Sequence, residues 1–208
     1  MLITPAPPAA DRAVLVRRAR LLAWIGVGWH VIEAAIAILA GLAASSIALI
    51  GFGADSLIES AAGFIVLWRF ASSSPGAERR AQQLIAISFY VLAAYVAIEA
   101  TRALTGGDEP ATSWVGIGLA AFTAATMPPL AIAKARVGAK LNSSATTSEG
   151  RQNMLCAYLS LGLLAGLGAN ALLGWWWADP VTALAIAAIA VREGRDAWRG
   201  EDPACACC

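Results

Sequence analysis

Residues 21–68 of the chain read LLAWIGVGWHVIEAAIAILAGLAASSIALIGFGADSLIESAAGFIVLW. This stretch contains no Lys, Arg or Pro, so neither a cation nor a helix breaker interrupts it. As one helix it would be about 72 Å long, enough for two crossings of a hydrocarbon core about 30 Å thick. The small residues of Gly41–Ser46 suit a tight turn. The stretch therefore predicts two membrane-spanning helices, over about 21–40 and 46–68.

The remainder of the chain continues the same apolar pattern. Four further apolar segments predict four more spans, of which the last is short. Pro128-Pro129 are expected to kink or terminate the fourth span. The predicted spans are residues 81–104, 113–133, 154–173 and 181–191. The predicted connections are Ser72–Arg80, Gly106–Pro110, Lys134–Arg151 and the aromatic turn Trp175–Pro180.

The composition agrees with a membrane protein and excludes several other classes. Hydrophobic residues make up 59% of the chain and charged residues 14%, against about 45–50% and 25% in soluble domains. A net charge of +1 with only two lysines argues against nucleic-acid binding. The single histidine, His30, excludes HExxH proteases, bis-histidine haem and a hydrolase triad, and no CxxC motif lies within the predicted spans. The chain is therefore expected to be a non-enzymatic integral membrane protein whose partner is the lipid bilayer.

The placement of basic residues predicts the orientation. With both termini in the cytoplasm, fourteen of the fifteen Lys and Arg residues fall on the cytoplasmic side, and Arg102 is the exception. We therefore expect an all-α membrane protein with six transmembrane helices and cytoplasmic N- and C-termini. Its predicted parts are a disordered cytoplasmic arm (1–20), a transmembrane domain (21–191) and a cytoplasmic tail (192–208). The tail contains Cys205, Cys207 and Cys208, which could capture a metal or have no fixed partner.

Acidic side chains within the predicted spans indicate function, because an ionisable group at mid-membrane costs at least about 2.5–3.5 kcal/mol. Asp55 and Glu59 are four residues apart, so both carboxylates lie on one helix face. Like charges at that spacing repel unless a cation or a shared proton lies between them. Since no Lys or Arg within the spans could neutralise this pair, we expect it to bind a metal ion or to carry protons.

Other polar residues of the spans have more than one interpretation. His30 lies one turn before Glu33 and is expected to pair with it. These two residues could be an auxiliary metal ligand or a proton path, or Glu33 could be a structural partner of a hydroxyl or backbone group. Glu99 precedes Arg102 by three residues and is expected to form a surface ion pair with it.

Further ligands are expected at the inner end of the fifth span, where Gln152 and Asn153 come just before residue 154 and Cys156 follows it. Counted from Gly174, Cys156 lies about 27 Å along its helix, and counted from the turn near Ala43, Glu59 lies about 24 Å along its own helix. The two side chains are therefore expected at similar depths in the membrane. A thiolate favours a soft or borderline metal such as Zn²⁺, whereas carboxylate and amide oxygens favour harder ions. An inert buried cysteine is the alternative for Cys156. The candidate metal-binding residues are Asp55, Glu59, Cys156, Gln152, Asn153, Glu33 and His30.

The segment Ser45–Ser60, SSIALIGFGADSLIES, resembles the second helix of the cation diffusion facilitator family, six-helix exporters of Zn²⁺ and related metals. In that helix an ADS…D pattern supplies two metal-binding carboxylates. Asp55 matches the first, and Glu59 stands in place of the second aspartate. The run Trp177–Leu184 resembles the family's turn into helix six, and the resemblance covers about residues 20–198.

The chain departs from typical family members in two ways. The fifth helix lacks the family's His-x-x-x-Asp pattern: a count without gaps puts Asn153 and Ala157 at those positions, and a one-residue shift puts Gln152 and Cys156 there. The family's C-terminal metallochaperone-like domain has no counterpart in the sequence. A compact branch of the family without that domain is therefore expected.

The resemblance implies a proton-coupled antiporter that exports a divalent metal, zinc above all, by alternating access. The metal is then the transported substrate and protons are the coupling ions, so no resident cofactor is expected. The resemblance also implies a homodimer, and a bacterial-type inner (plasma) membrane is the expected location. The alternative is a non-transporting membrane metal sensor or assembly partner, which would bind an ion without moving it.

Overall fold

A computed structural model describes residues 9–71, 75–106, 110–141 and 143–199, and within these ranges the chain is all-helical, with six helices and no strand. This confirms the predicted all-α fold class. Of the predicted connections Ser72–Arg80 and Gly106–Pro110, residues 72–74 and 107–109 lie outside the described residues, as do the cysteines of the tail. Residues 75–80 are helical, so that part of the predicted loop is wrong. The helices are α1 (Ala9–Ala44), α2 (Ile47–Ala71), α3 (Pro75–Gly106), α4 (Trp114–Leu141), α5 (Ser144–Leu173) and α6 (Ala178–Arg199).

Four of these helices are long and apolar enough to cross a membrane, which indicates a membrane protein. The apolar segments lie in α1, α2, α4 and α5. Crossing by α3 and α6, like the orientation of the termini, stays a prediction. The four segments are Asp11–Ala44, Ile47–Ile65, Trp114–Leu141 and Gln152–Leu173.

The helices pack as a four-helix bundle with a flanking pair. Helix α1 packs along α2 and α4, α4 packs along α5, and α2 also contacts α5. Helices α3 and α6 pack against each other, and both contact α2. The shared core includes Leu49, Phe52, Val96, Met127 and Leu163. Helix α5 also contacts α6, so α2 and α5 connect the bundle with the pair.

Several helices extend well beyond the predicted spans. Helix α1 begins at Ala9, so the described part of the predicted disordered arm is helical. The predicted loop Lys134–Arg151 is wrong, because α4 continues to Leu141 and α5 begins at Ser144. Ser143 caps α5 by accepting a hydrogen bond from the Thr146 N–H. Charged residues such as Lys134 and Arg136 interrupt the apolar pattern without ending the helix, because backbone hydrogen bonding continues past them.

Pro128-Pro129 do not end α4, which continues to Leu141. Because proline has no N–H, the main-chain carbonyls of Ala124 and Ala125 lack their usual helical partners. The expected termination of this helix near residue 133 is therefore wrong.

The two tight turns lie where the sequence predicts them. Between α1 and α2, Ser45 has a φ of 53° and the Ser46 N–H donates to the Gly41 carbonyl at 2.9 Å. Between α5 and α6, Gly174 has a φ of 67°, which suits a residue without a side chain. In the aromatic turn that follows, the rings of Trp175 and Trp177 stack with centroids 5.3 Å apart.

Candidate metal site

Three helices bring together a buried histidine, glutamate and cysteine. His30 on α1, Glu59 on α2 and Cys156 on α5 each offer one ligand atom, and these atoms lie within 4.8 Å of one another. We call these three residues the His30 group. They are 3%, 8% and 0% exposed, so water has almost no access to them. The group combines nitrogen, oxygen and sulfur donors, a set that can hold a metal ion.

Glu59 lacks a hydrogen-bond donor for one of its oxygens. The Cys156 thiol donates to the Glu59 carboxylate, but Oε2 has no hydrogen-bond partner among the described residues. His30 Nδ1 lies 3.1 Å from that oxygen, outside hydrogen-bond geometry. A buried carboxylate oxygen left in this way is costly, and a cation would remove the cost.

Glu33 has a different environment one turn along α1. Its side chain is fully buried and accepts hydrogen bonds from Ser56 Oγ at 3.0 Å and from Thr123 Oγ1. The expected pairing with His30 is confirmed, since His30 Nδ1 lies 3.1 Å from Glu33 Oε2. Glu33 therefore has hydroxyl donors of its own and lies beside Nδ1, the ring nitrogen of His30 that is also 3.1 Å from Glu59 Oε2.

Asp55 and Glu59 line one cleft, as their spacing on α2 predicts. Asp55 is buried, but it does not belong to the His30 group. Gln152 on α5 and Glu193 on α6 also line this cleft, so Gln152 lies near the two carboxylates without belonging to the group. The apolar lining consists of Phe89, Leu155, Leu159, Ile186, Ile189 and Ala190.

Asn153 contacts His30 directly. Its Nδ2 lies 3.0 Å from His30 Nε2, and it also donates to Met127 Sδ at 3.2 Å. Its Oδ1 accepts a hydrogen bond of 2.9 Å from Lys134 Nζ. Asn153 is therefore held on three sides by other side chains.

Lys134 differs most from the expectation, which placed it in a loop and foresaw no cation inside the spans. Its side chain is 1% exposed, and its Nζ donates to Glu149 Oε1 at 2.7 Å. Glycine provides the room for this pair. A Cβ at Gly26 would lie 2.5 Å from Lys134 Nζ, and one at Gly63 would lie 3.4 Å from Glu149 Oε1.

A signal for Lys134 is present in the sequence of α4. The buried face of this helix includes Thr123, Met127, Ala131 and Lys134, in steps of four, four and three residues. This is the helical period, continued past the two prolines. Extending the buried stripe of the fourth span by one turn would have placed Lys134 inside the protein.

Glu193 was also missed, because it lies just beyond the last predicted span. Burial raises the pKa of the Glu193 carboxyl above its usual value; Asp196 raises it further, while Arg192 lowers it. The surface pair expected between Glu99 and Arg102 is confirmed, with Arg102 Nη1 2.6 Å from Glu99 Oε1.

A further buried carboxylate lies at the N-terminal end of α2. Asp179, in the first turn of α6, is 1% exposed. It accepts hydrogen bonds from Ser46 Oγ and from the Ala48 N–H, the latter at 3.3 Å. The backbone N–H groups at a helix start have no partner within the helix, so Asp179 joins α6 to α2 as a helix cap.

Comparison of the chain with models of known protein families gives no match, and a search among curated proteins gives none either.

Proposed function

We propose that the chain is a transporter that moves divalent metal ions, zinc above all, across a membrane in exchange for protons. The observation that carries this proposal is the His30 group, a buried set of nitrogen, oxygen and sulfur donors among helices apolar enough to span a bilayer. Ionisable side chains in such surroundings are costly and mark ion pathways.

The donor set favours zinc over harder ions. Zn²⁺ binds histidine, carboxylate and cysteine at about 2.0–2.3 Å, which gives tetrahedral ligand–ligand distances of about 3.3–3.8 Å. The ligand atoms of the His30 group lie within 4.8 Å of one another, so shifts of about 1 Å would close them on an ion. Three protein ligands leave one position open, which suits an ion that must leave again.

Exchange with protons follows from the same donors. Carboxylate, thiolate and imidazole bind either a proton or a metal, so metal affinity falls as these ligands are protonated. The cleft lined by Asp55, Gln152 and Glu193 supports an approach route to Glu59, because its acidic side chains attract a cation before it reaches the buried donors.

The wider setting belongs to the same proposal. We infer six spans with cytoplasmic termini, supported by the four apolar helices and the one-sided distribution of basic residues. The resemblance of Ser45–Ser60 to the cation diffusion facilitator family favours a compact branch of that family, active as a homodimer in a bacterial-type inner membrane.

Flux in proteoliposomes tests the proposal. The protein is reconstituted, and Zn²⁺ movement is followed under an imposed proton gradient. The double variant Asp55→Asn/Glu59→Gln removes both cleft carboxylates of α2, and Glu99→Gln is the matched control because its carboxylate pairs with Arg102 away from the cleft. We expect gradient-driven flux in the native protein and in the control, and none in the double variant.

Two results would contradict this expectation. Equal flux in the native protein and the double variant would exclude these carboxylates from transport. Saturable Zn²⁺ binding without flux of Zn²⁺, Mn²⁺, Fe²⁺, Co²⁺ or Cd²⁺ would favour a non-transporting metal sensor or assembly partner instead.

A further inference from the structure

A continuous chain of hydrogen bonds joins a buried ion pair to the His30 group. Lys134 Nζ donates to Glu149 Oε1 at 2.7 Å and to Asn153 Oδ1 at 2.9 Å. Asn153 Nδ2 lies 3.0 Å from His30 Nε2. These four residues are each no more than 5% exposed, so bulk water does not compete for the bonds.

The ammonium group of Lys134 determines which group donates and which accepts in this series of hydrogen bonds. A lysine ammonium has three donors and no acceptor, so the Asn153 atom that faces Lys134 must be the carbonyl oxygen. The NH₂ group of Asn153 is then turned the other way, where its two hydrogens reach His30 Nε2 and Met127 Sδ. The amide cannot turn over without placing its NH₂ group against the ammonium.

The orientation of Asn153 in turn determines which nitrogen of the His30 ring carries the proton. Since Asn153 donates to Nε2, that nitrogen has no proton, and in the neutral ring the proton is on Nδ1. Nδ1 faces Oε2 of both Glu33 and Glu59, each at 3.1 Å. Nδ1 is thus both the protonated nitrogen and the one that faces Glu59.

We propose that Lys134, acting through Asn153, holds His30 in the tautomer that has its proton on Nδ1, and so opposes metal binding at that nitrogen until Asn153 turns. Lys134 and Asn153 are positioning residues in this role. The part that concerns metal rests on the proposed function, whereas the tautomer does not.

The metal-bound arrangement requires the opposite amide orientation. When a metal takes Nδ1, that nitrogen loses its proton and Nε2 gains one, so the proton count of the ring is unchanged. Nε2–H then needs an acceptor, which Asn153 Oδ1 provides only after the amide has turned by about 180°. Lys134 must release Asn153, and it can donate instead to Glu149 Oε2, which is buried without a hydrogen-bond partner among the described residues.

Nitrogen NMR tests the tautomer directly. His30 is the only histidine in the chain, so ¹⁵N-histidine labelling gives the two ring signals of one residue. In metal-free protein in nanodiscs we expect the proton on Nδ1. In Asn153→Asp the carboxylate accepts from both Lys134 and Nε2–H, so the proton should move to Nε2 and Zn²⁺ affinity should rise by about tenfold.

Two further variants test whether the effect comes from the orientation of the Asn153 amide. One controls for added charge, and the other avoids leaving a single charge buried, which could prevent folding. Gln152→Glu adds the same charge on the neighbouring residue that lines the cleft, and it should keep the proton on Nδ1. Lys134→Met/Glu149→Gln removes both members of the ion pair, so neither charge is left buried alone. This double variant frees the amide and should give a mixture of tautomers with tighter Zn²⁺ binding.

The outcomes distinguish this inference from the proposed function. A proton on Nε2 in the native protein would overturn the tautomer assignment. Equal Zn²⁺ affinity in the native protein and Asn153→Asp, or an equal gain in Gln152→Glu, would overturn the link to metal. If no form binds Zn²⁺, the proposed function fails together with that link, while the ring signals still decide the tautomer.

Discussion

The buried carboxylates of Asp179 and Glu59, both at α2, differ in how many hydrogen-bond donors surround them. At the N-terminal end of the helix, Asp179 accepts from the Ser46 hydroxyl and the Ala48 N–H. Within the helix, Glu59 has one oxygen without a hydrogen bond, and the Cys156 thiol that donates to its carboxylate is a weak donor. Both side chains are more than nine-tenths buried. Burial alone is therefore no reason to infer a metal ligand. The proposal for Glu59 rests on its shortage of N–H and O–H donors together with the neighbouring histidine and cysteine.

Glu59→Gln should have the largest effect, because it removes the charged ligand of the His30 group while keeping its shape. We expect Zn²⁺ affinity to fall by at least about 100-fold, or about 2.7 kcal/mol. The free energy of unfolding should hold or increase, since a buried charge without full hydrogen bonding is removed. Calorimetric titration of the detergent-purified protein measures the affinity, and unchanged binding would place the ion elsewhere.

Asp179→Asn should show the reverse pattern. The amide keeps one acceptor but turns an NH₂ group towards the donors of α2, so we expect a loss of about 2 kcal/mol in the free energy of unfolding. Zn²⁺ affinity of the folded protein should stay within about twofold of native. Denaturant unfolding in detergent gives the first quantity. A large loss of affinity in folded Asp179→Asn would remove the contrast between the two carboxylates.

Cys156→Ser sharpens the comparison by changing only the sulfur. A hydroxyl is a poor replacement for a thiolate towards Zn²⁺ and Cd²⁺, so their affinities should fall by roughly tenfold, about 1.4 kcal/mol. Binding of Mn²⁺, a harder ion, should change much less. Parallel titrations with the three ions test this selectivity, and equal losses for all of them would make Cys156 a packing residue.

Glu193→Gln should have the smallest effect, because this residue lines the cleft without belonging to the His30 group. We expect the initial rate of Zn²⁺ uptake to fall by about threefold with little change in affinity. The difference from native should disappear as the pH falls. The raised pKa means that Glu193 takes up its proton, and loses its charge, at a higher pH than an ordinary glutamate. If the difference in uptake rate between the native protein and Glu193→Gln grew as the pH fell, this role of Glu193 would be contradicted.

The sequence predicts the helical hairpin and the facing carboxylates well, because both depend on local spacing. The turn at Gly41–Ser46 follows from its small residues, and the shared face of Asp55 and Glu59 follows from the helical period. Helix ends were predicted less well. Hydropathy reports where a helix leaves its apolar surroundings and does not report where its hydrogen bonds stop, as the continuation of α4 to Leu141 illustrates.

The ion pair beside the His30 group could not be predicted from local spacing alone. Lys134 and Glu149 come from different helices, and the space they fill is left by glycines of two others, Gly26 and Gly63. Only the packing of four helices makes this combination visible. The contact between Asn153 and His30 likewise joins residues far apart in the chain. The count along the fifth helix places Asn153 among the candidate residues, but it does not show that Asn153 contacts His30.

The paired prolines of α4 have a mechanical consequence. Pro128-Pro129 lie between Thr123, which donates to Glu33, and Lys134, which donates to Asn153. Since two main-chain hydrogen bonds are already missing there, bending α4 at this point breaks fewer bonds than bending an uninterrupted turn. Thr123 reaches one ring nitrogen of His30 through Glu33, and Lys134 reaches the other through Asn153. A bend of α4 at the prolines would therefore move one of these two contacts relative to the other.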